Sequence, residues 1–312
     1  MNDYFEGMIG QEGAKKELSF RIDRHLENGA PFPNLLLTGQ KGDGKTLLAK
    51  KIGKNLPDRS EPDRKYKRFF TVNGSDIQSP AYFFEEVIDG IQAESEYSTI
   101  FIDEAHELPK KVQSAMLNPL ETSKNHLNRY TFRGRERIFD FTKMTFIMAT
   151  TEDDRIFHAL KDRFHTINLE MYQKNELGEI IKKLLNDSCQ FEEEAIEFIS
   201  HFVRRNARFA DRIATDIRSL GKPIFRVNHA ESLIDQLNLL PHGLEKIELH
   251  LLKTLRDCGP LSLSELSCRI GRPPEATRKS IEPYLISLGL MTIDGKRKIS
   301  QPGRDLLKIV GK

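Results

Sequence analysis

Eight residues constrain this chain more than any others: Gly39-Gln40-Lys41-Gly42-Asp43-Gly44-Lys45-Thr46 fits G-x-x-x-x-G-K-[ST] at every position. Leu35-Leu36-Leu37 before it reads as a buried strand, and Leu47, Leu48 and Ile52 after it read as one face of a helix. Strand, glycine-rich turn and helix in that order make a phosphate-binding loop. Its backbone N–H groups turn inward on an anion, which demands glycines where a side chain would block the approach. Lys45 supplies a point charge for the β and γ phosphates, Thr46 a hydroxyl for Mg2+, and the helix N-terminus the positive end of a dipole. Gly42, Asp43, Gly44, Lys45, Thr46 and Leu47 are the expected nucleotide-binding residues, and ATP with Mg2+ the expected ligands.

A second signal follows. Thr99-Ile100-Phe101-Ile102 reads as a short buried strand that delivers Asp103-Glu104-Ala105-His106 at its C-terminal end, where α/β sheets bind ligands. Asp103 is expected in the Mg2+ shell and Glu104 as the general base for the attacking water. Acidic residues at such a place also serve as helix caps, but downstream of a phosphate loop the catalytic reading is preferred. A third strand, Met144 to Ala149, ends in Thr150-Thr151, a polar tip able to orient water between the phosphates and the acidic pair.

These motifs, followed by Leu160-Lys161-Asp162-Arg163-Phe164 and Asn206-Ala207-Arg208-Phe209-Ala210-Asp211-Arg212, resemble the AAA+ ATPases of the RuvB type, the Holliday-junction branch-migration motors. Ile281-Glu282-Pro283-Tyr284-Leu285-Ile286 falls where that family has a near-identical phrase, and Met8-Ile9-Gly10-Gln11 resembles its adenine-pocket segment. The resemblance implies an ATP hydrolase of the DNA-translocating, helicase type, acting as a homo-oligomer, normally a hexameric ring. It implies Thr150 or Thr151 as sensor 1 and Arg208 as sensor 2, with Ile9, Gly10 and Tyr172 beside the nucleotide. Arg163 would be the arginine finger reaching into a neighbouring subunit's site, its plainer alternative being a local ion pair with Asp162 or another nearby acid.

The expected fold class is α/β: an AAA+ P-loop NTPase with a parallel sheet (residues 1–167), a small helical lid (168–240) and a C-terminal winged helix (241–312). Pro241-His242-Gly243 reads as a hinge, and Pro57 to Arg68 as a charged surface loop. In the last part Ser262-Leu263-Ser264-Glu265 is a capping box opening a helix that ends at Gly271. Pro273-Pro274 starts another that runs to Gly289, and Asp294-Gly295 marks a hairpin. With Leu244 to Leu255, apolar at helical spacing, as the first helix, three helices and a two-stranded wing make a winged helix. From Pro241 to Lys312 there are 13 Lys and Arg against 8 Asp and Glu, although the whole chain carries only +2. Arg278 and Lys279 on the recognition helix and Lys296, Arg297 and Lys298 on the wing are the expected phosphate contacts to duplex or branched DNA.

Hydrophobic content of 38% and charged content of 30% describe a soluble globular protein. The first residues lack the pattern of a signal peptide, and no run approaches membrane length. Cys189, Cys258 and Cys268 form no C-x-x-C, so neither a zinc site nor a disulfide framework is indicated, and a cytoplasmic location is expected.

One segment departs from the family pattern. Asn128 to Phe132 and Arg137 to Phe141 alternate as strands around Arg133-Gly134-Arg135, a strongly basic tip where the family has an apolar one that docks RuvA. Such a tip fits an apolar groove poorly, which puts a RuvA-like partner in doubt and leaves DNA or an acidic protein surface as its target. A second function class therefore stands beside the motor: an ATP-dependent assembly factor that recruits a partner on DNA, as in transposition, phage or defence systems. ATP-driven displacement along DNA separates the two.

Overall fold

The computed structural model describes residues 3–28, 32–57, 66–95, 97–120, 127–132, 135–186 and 188–310. The chain divides into two compact units, Met1–Glu176 and Leu177–Lys312.

The first unit is built on a five-stranded sheet. Its strands are β1 (Leu35–Thr38), β2 (Arg68–Asn73), β3 (Ser98–Asp103), β6 (Met144–Thr150) and β7 (His165–Asn168), in the spatial order β2-β3-β6-β1-β7. All four pairings are parallel. Two further strands, β4 (Leu127–Phe132) and β5 (Arg135–Asp140), pair antiparallel as a hairpin, with Leu127 opposite Asp140 and Phe132 opposite Arg135. The tip residues Arg133 and Gly134 lie outside the described residues.

Alternation along each strand sends side chains to opposite faces. Leu36, Ile100, Ile102, Phe146 and Met148 enter one core with Phe83, Phe84, Val112 and Leu160. Leu35, Leu37, Phe101, Ile147 and Ala149 enter the other, under the helices Glu12–Asn28 and Lys45–Gly53 through Leu18, Ile22, Leu48, Ala49 and Ile52. A sheet buried on both faces needs continuous apolar strands, which is why β1, β3 and β6 read as unbroken hydrophobic runs. Strand β2 starts at Arg68, which had been read as the end of a surface loop. Residues 58–65 of that loop lie outside the described residues.

In the second unit the helices Lys174–Leu185 (whose first turn holds the dividing point), Glu193–Ser200, Ala207–Ser219 and Val227–Leu237 bury one apolar face each, among them Ile181, Ile196, Ile213 and Leu233. Short parallel strands Gln190–Phe191 and Ile224–Phe225 tie two of the connections. Lys246–Cys258 and Leu263–Ile270 follow. The latter has the expected capping box, Glu265 N–H donating to the Ser262 hydroxyl at 3.3 Å and Ser262 N–H to Glu265 at 2.8 Å, and ends at Gly271 in the left-handed region.

The segment read as one helix from Pro274 to Gly289 is helical but not uniform. A wide π turn, Thr277–Ile281, separates Pro274–Ala276 from Glu282–Ser287. Pro283 has no N–H to return to the preceding turn and its ring crowds that carbonyl, a recognised cause of such widening. The wing pairs Met291–Asp294 with Lys296–Ile299, and a further helix, Gln301–Val310, packs behind it. Reading three helices and a wing had missed this last element. No helix among the described residues is long and apolar enough to cross a membrane.

Pro241–Gly243, expected to be a hinge, is instead a bonded elbow. His242 N–H donates to the His201 carbonyl at 2.7 Å, and the Tyr284 hydroxyl donates to the His242 carbonyl at 2.5 Å. Beside it Arg204 makes two 3.0 Å hydrogen bonds to Glu248, whose side chain is 2% exposed, while its guanidinium carbon lies 3.7 Å from the Tyr284 ring centroid. Removing one partner of a buried pair strands the other's charge. Glu248→Ala should therefore lower stability by about 3 kcal/mol in urea denaturation; a loss below about 1 kcal/mol would mark the pair as no stronger than a surface one.

Candidate active site

Three strand tips meet at one end of the sheet. Thr38 of β1 is in register with Thr150 of β6, and β3, ending at Asp103, pairs with β6 on its other side. The loop from Gly39 to Gly44 leaves β1 at this end. Gly42 and Gly44 both have φ near 95°, a region closed to side chains. A Cβ on Gly44 would also stand 2.9 Å from the Tyr172 hydroxyl, so Tyr172, itself 2% exposed, lies against the loop. Burial, with the charges of Asp43 and Glu176 behind it, pushes the Tyr172 hydroxyl up to about 12.

The N-terminal segment is lashed to the same place. Gln11, with φ 61°, donates to the carbonyls of Glu170 (2.6 Å) and Asp43 (3.3 Å) and accepts from Glu170 N–H (3.0 Å). A Cβ on Gly10 would meet Tyr172 at 3.1 Å. Gly10, with the half-buried Ile9 next to it, is thus brought to Tyr172. Gln11 was not singled out as a site residue. Its signal was a polar side chain between a glycine and a helix start.

Lys45 is 8% exposed and its ammonium donates to the carbonyls of Gly39 and Gln40, both at 2.8 Å. These bonds hold the charge at the loop's mouth. The Thr46 hydroxyl lies 3.3 Å from an Asp103 carboxylate oxygen, and the other Asp103 oxygen accepts from Glu104 N–H at 3.0 Å. A hydroxyl beside a carboxylate, both oxygen donors, suits a hard divalent cation such as Mg2+. Glu104 sits in the left-handed region (φ 48°, ψ 48°), and its side chain is 40% exposed. Thr150 is fully buried and Thr151 exposed, so Thr150 is the one turned inward.

Leu47 does not share the buried helix face assigned to it. It is 45% exposed, because the sheet-facing stripe runs through Leu48, Ala49 and Ile52. Arg163 does not pair with Asp162, which faces His158. Its guanidinium donates to the carbonyls of Leu117 (2.8 Å) and Ala159 (2.6 Å). Arg208 stands exposed in the first turn of Ala207–Ser219, in the second unit.

The comparisons with known proteins follow this geometry. Residues 35–170 match the model of the ATPase family associated with various cellular activities (AAA), and residues 241–308 that of the RuvB C-terminal winged helix domain. The chain belongs to the RuvB family. RuvB subunits of the Holliday junction branch migration complex from Enterococcus faecalis and Pseudothermotoga lettingae are 27% and 28% identical to it, over 94% and 93% of the chain and 86% and 83% of their own lengths. The Thermotoga maritima RuvB Holliday junction branch migration motor superposes with a TM-score of 0.75 at 25% identity, covering 96% of this chain and 95% of its own. As a RuvB-family AAA protein the chain is an ATP hydrolase.

The basic residues of the RuvB-type winged helix divide into two groups. Arg278, Lys279 and Lys296 are exposed, Lys279 beside Glu275 and Lys298 beside Asp294 in surface pairs. Arg297 is different. Its guanidinium grips Glu282 at 2.8 and 3.3 Å, with both side chains largely buried, and its backbone bridges to Leu261. It fastens the wing, and the phosphate role expected of it is withdrawn.

Asp43, one of the expected loop residues, turns inward beneath the loop. It is 1% exposed, accepts Gln40 N–H on one oxygen, and leaves the other without a hydrogen bond. Burial raises its carboxyl to about 6, against the Gln40 hydrogen bond and the charge of Lys45. An acid that holds its proton more tightly folded than unfolded destabilises the fold at neutral pH, and the penalty fades as pH falls through 6 toward 4. Asp43→Asn keeps the acceptor without the charge. It should gain up to about 3 kcal/mol over wild type at pH 7.5 and almost nothing at pH 4, read by denaturant unfolding at both.

Proposed function

We propose that this chain is a ring-forming motor that couples ATP hydrolysis to movement on duplex and branched DNA, as in Holliday-junction branch migration, in the cytoplasm. The observation that carries the reading is the joining, in one chain, of an AAA ATPase core to a winged helix of the RuvB type, in the order its curated relatives have over nearly their full length. The parts assigned to the work are residues 1–167 for nucleotide, 168–240 as lid and 241–312 for DNA.

In this reading Gly42, Gly44 and their neighbours wrap the phosphates, and Lys45 turns from the Gly39 and Gln40 carbonyls to the β and γ oxygens. Ile9, Gly10 and Tyr172 hold the base end, with Leu47 behind the phosphates. Thr46 and Asp103 hold Mg2+, which would neutralise charge on the phosphates. Glu104 takes the proton from the attacking water and Thr150 orients that water. Arg208 senses the γ phosphate from the lid. Arg163 leaves its two carbonyls to serve a neighbouring subunit in a homo-hexamer. Arg278, Lys279, Lys296 and Lys298 neutralise DNA phosphates. A partner for the Arg-rich hairpin β4–β5 is expected to be acidic.

A synthetic four-way junction tests the motor. Wild type with ATP and Mg2+ should resolve it into duplex products, and Glu104→Gln should bind nucleotide yet produce none. ATP hydrolysis by wild type without any displacement of junction or roadblock, with or without an added branch-binding partner, would move the assignment to a DNA-bound assembly switch. A further test addresses Arg163. Arg163→Ala subunits should hydrolyse ATP about a thousandfold more slowly alone and regain turnover when co-assembled with Lys45→Ala subunits. An absence of rescue in verified mixed rings would leave Arg163 a purely structural side chain.

A further inference from the structure

His106 occupies a position that none of the roles above uses. Its ring is 8% exposed, behind the strand tips. Nδ1 lies 3.0 Å from the Thr150 hydroxyl. Nε2 faces three carboxylates: Glu107 at 3.5 Å, Glu104 at 3.6 Å and Glu152 at 3.9 Å.

The three are not equivalent. Arg155 lies 3.0 Å from Glu107 and 3.7 Å from Glu152, so these two share its guanidinium. For Glu104, the His106 ring is the one basic side chain within ion-pair distance among the described residues. A bare lone pair on Nε2 would point at three negative groups, so the hydrogen of the neutral ring belongs on Nε2. Nδ1 is then an acceptor. The Thr150 hydroxyl already accepts Glu152 N–H at 3.0 Å, which leaves its own hydrogen to donate to Nδ1. One ring therefore sets the direction of the Thr150 hydroxyl and offers an N–H toward the Glu104 carboxylate.

The backbone around Glu104 needs such a restraint. A non-glycine residue at φ 48° is held in a sparsely populated region of backbone space. Gly74 presses on it from the side, where a Cβ would stand 2.5 Å from the Glu104 carbonyl oxygen. The turn is thus fixed in place, while the carboxylate beyond it stays partly exposed. Its direction depends on what lies beside it.

We infer that His106 is the positioning residue that ties the general base Glu104 to the buried Thr150, so that base and water-orienting hydroxyl are aimed together. The inference rests on the assignment of Glu104 as base. It brings in Glu152, from the acidic segment after β6, as the N–H donor that completes the geometry at Thr150.

The test uses the full-length protein with ATP and Mg2+, measuring kcat by phosphate release and affinity with a fluorescent ATP analogue. His106→Ala should lower kcat about tenfold to a hundredfold while changing nucleotide affinity less than about threefold. His106→Gln, which keeps an N–H donor toward Glu104, should fall between Ala and wild type. If the ring acts through Thr150, then His106→Ala combined with Thr150→Val should be no slower than the slower single variant. A wild-type kcat in His106→Ala, a loss of affinity that matches the loss of rate, or losses that multiply in the double variant would each overturn the inference. Glu104→Gln separates the two assignments. If it still turns over, the base is elsewhere; if it is inactive while both His106 variants run at wild-type rate, only the tie is wrong.

Discussion

The parallel alignment of β1, β6 and β3 is the constraint on which the site depends. Because the three strands run the same way, their C-terminal ends reach the same edge, and each ends in a different polar group: the phosphate loop, Thr150, and Asp103 with Glu104. No local sequence signal could bring these together, since about sixty residues separate the phosphate loop from Asp103 and about fifty more separate Asp103 from Thr150. The apolar runs do it indirectly. Each strand must be buried on both faces, and a sheet so covered must be parallel and crossed over by helices. Chemistry at the edge is thus a by-product of packing at the centre.

Packing also accounts for the electrostatics. Lys45 and Asp43 are both almost wholly buried within three residues of each other, yet they are treated differently by their surroundings. The ammonium finds two carbonyls at 2.8 Å, whereas one carboxylate oxygen finds no donor. The loop is therefore generous to cations and hostile to an anionic side chain of its own. A surface arranged to present N–H groups and a lysine outward has few donors left for an acid beneath it. Buried Asp43 is held at a cost to its ionised form, close beside Gly39 and near enough to Tyr172 for its charge to raise that hydroxyl.

Much of this was legible in the residues. The phosphate loop, the Asp103 and Glu104 pair, the capping box at Ser262 and the wing turn at Gly295 are local signals in which backbone need and residue type coincide, and the structure places each where its pattern requires. The failures were of another kind. Leu47 was put on the wrong face because three leucine-like residues in a short helix do not fix which stripe meets the sheet. Arg297 looked like its neighbours Lys296 and Lys298, and only the approach of Glu282, fifteen residues away, diverts it. His106 carried no signal of its own, since its meaning lies in Thr150, which a separate strand supplies. Strand β2 was overlooked because an edge strand is half exposed and reads Arg-Phe-Phe-Thr-Val-Asn, neither cleanly alternating nor continuously apolar.

The elbow at Pro241–Gly243 changes what the second unit can do. A free hinge would let the winged helix wander relative to the helices before it. Instead Arg204, in the connection between Glu193–Ser200 and Ala207–Ser219, reaches Glu248 with both terminal nitrogens and sets its guanidinium over the Tyr284 ring, whose hydroxyl closes on the His242 carbonyl. Bending there would break a bidentate ion pair on the buried Glu248, a cation–π contact and two hydrogen bonds at once. Tyr284 belongs to the Glu282–Ile286 phrase, and Glu282 from the same turn holds Arg297 in the wing. One short helical segment is therefore clamped to the lid at one side and to the wing at the other. Rotating the helices before the elbow against the wing would therefore have to break the Arg204–Glu248 pair, the Arg204–Tyr284 contact or the Glu282–Arg297 pair.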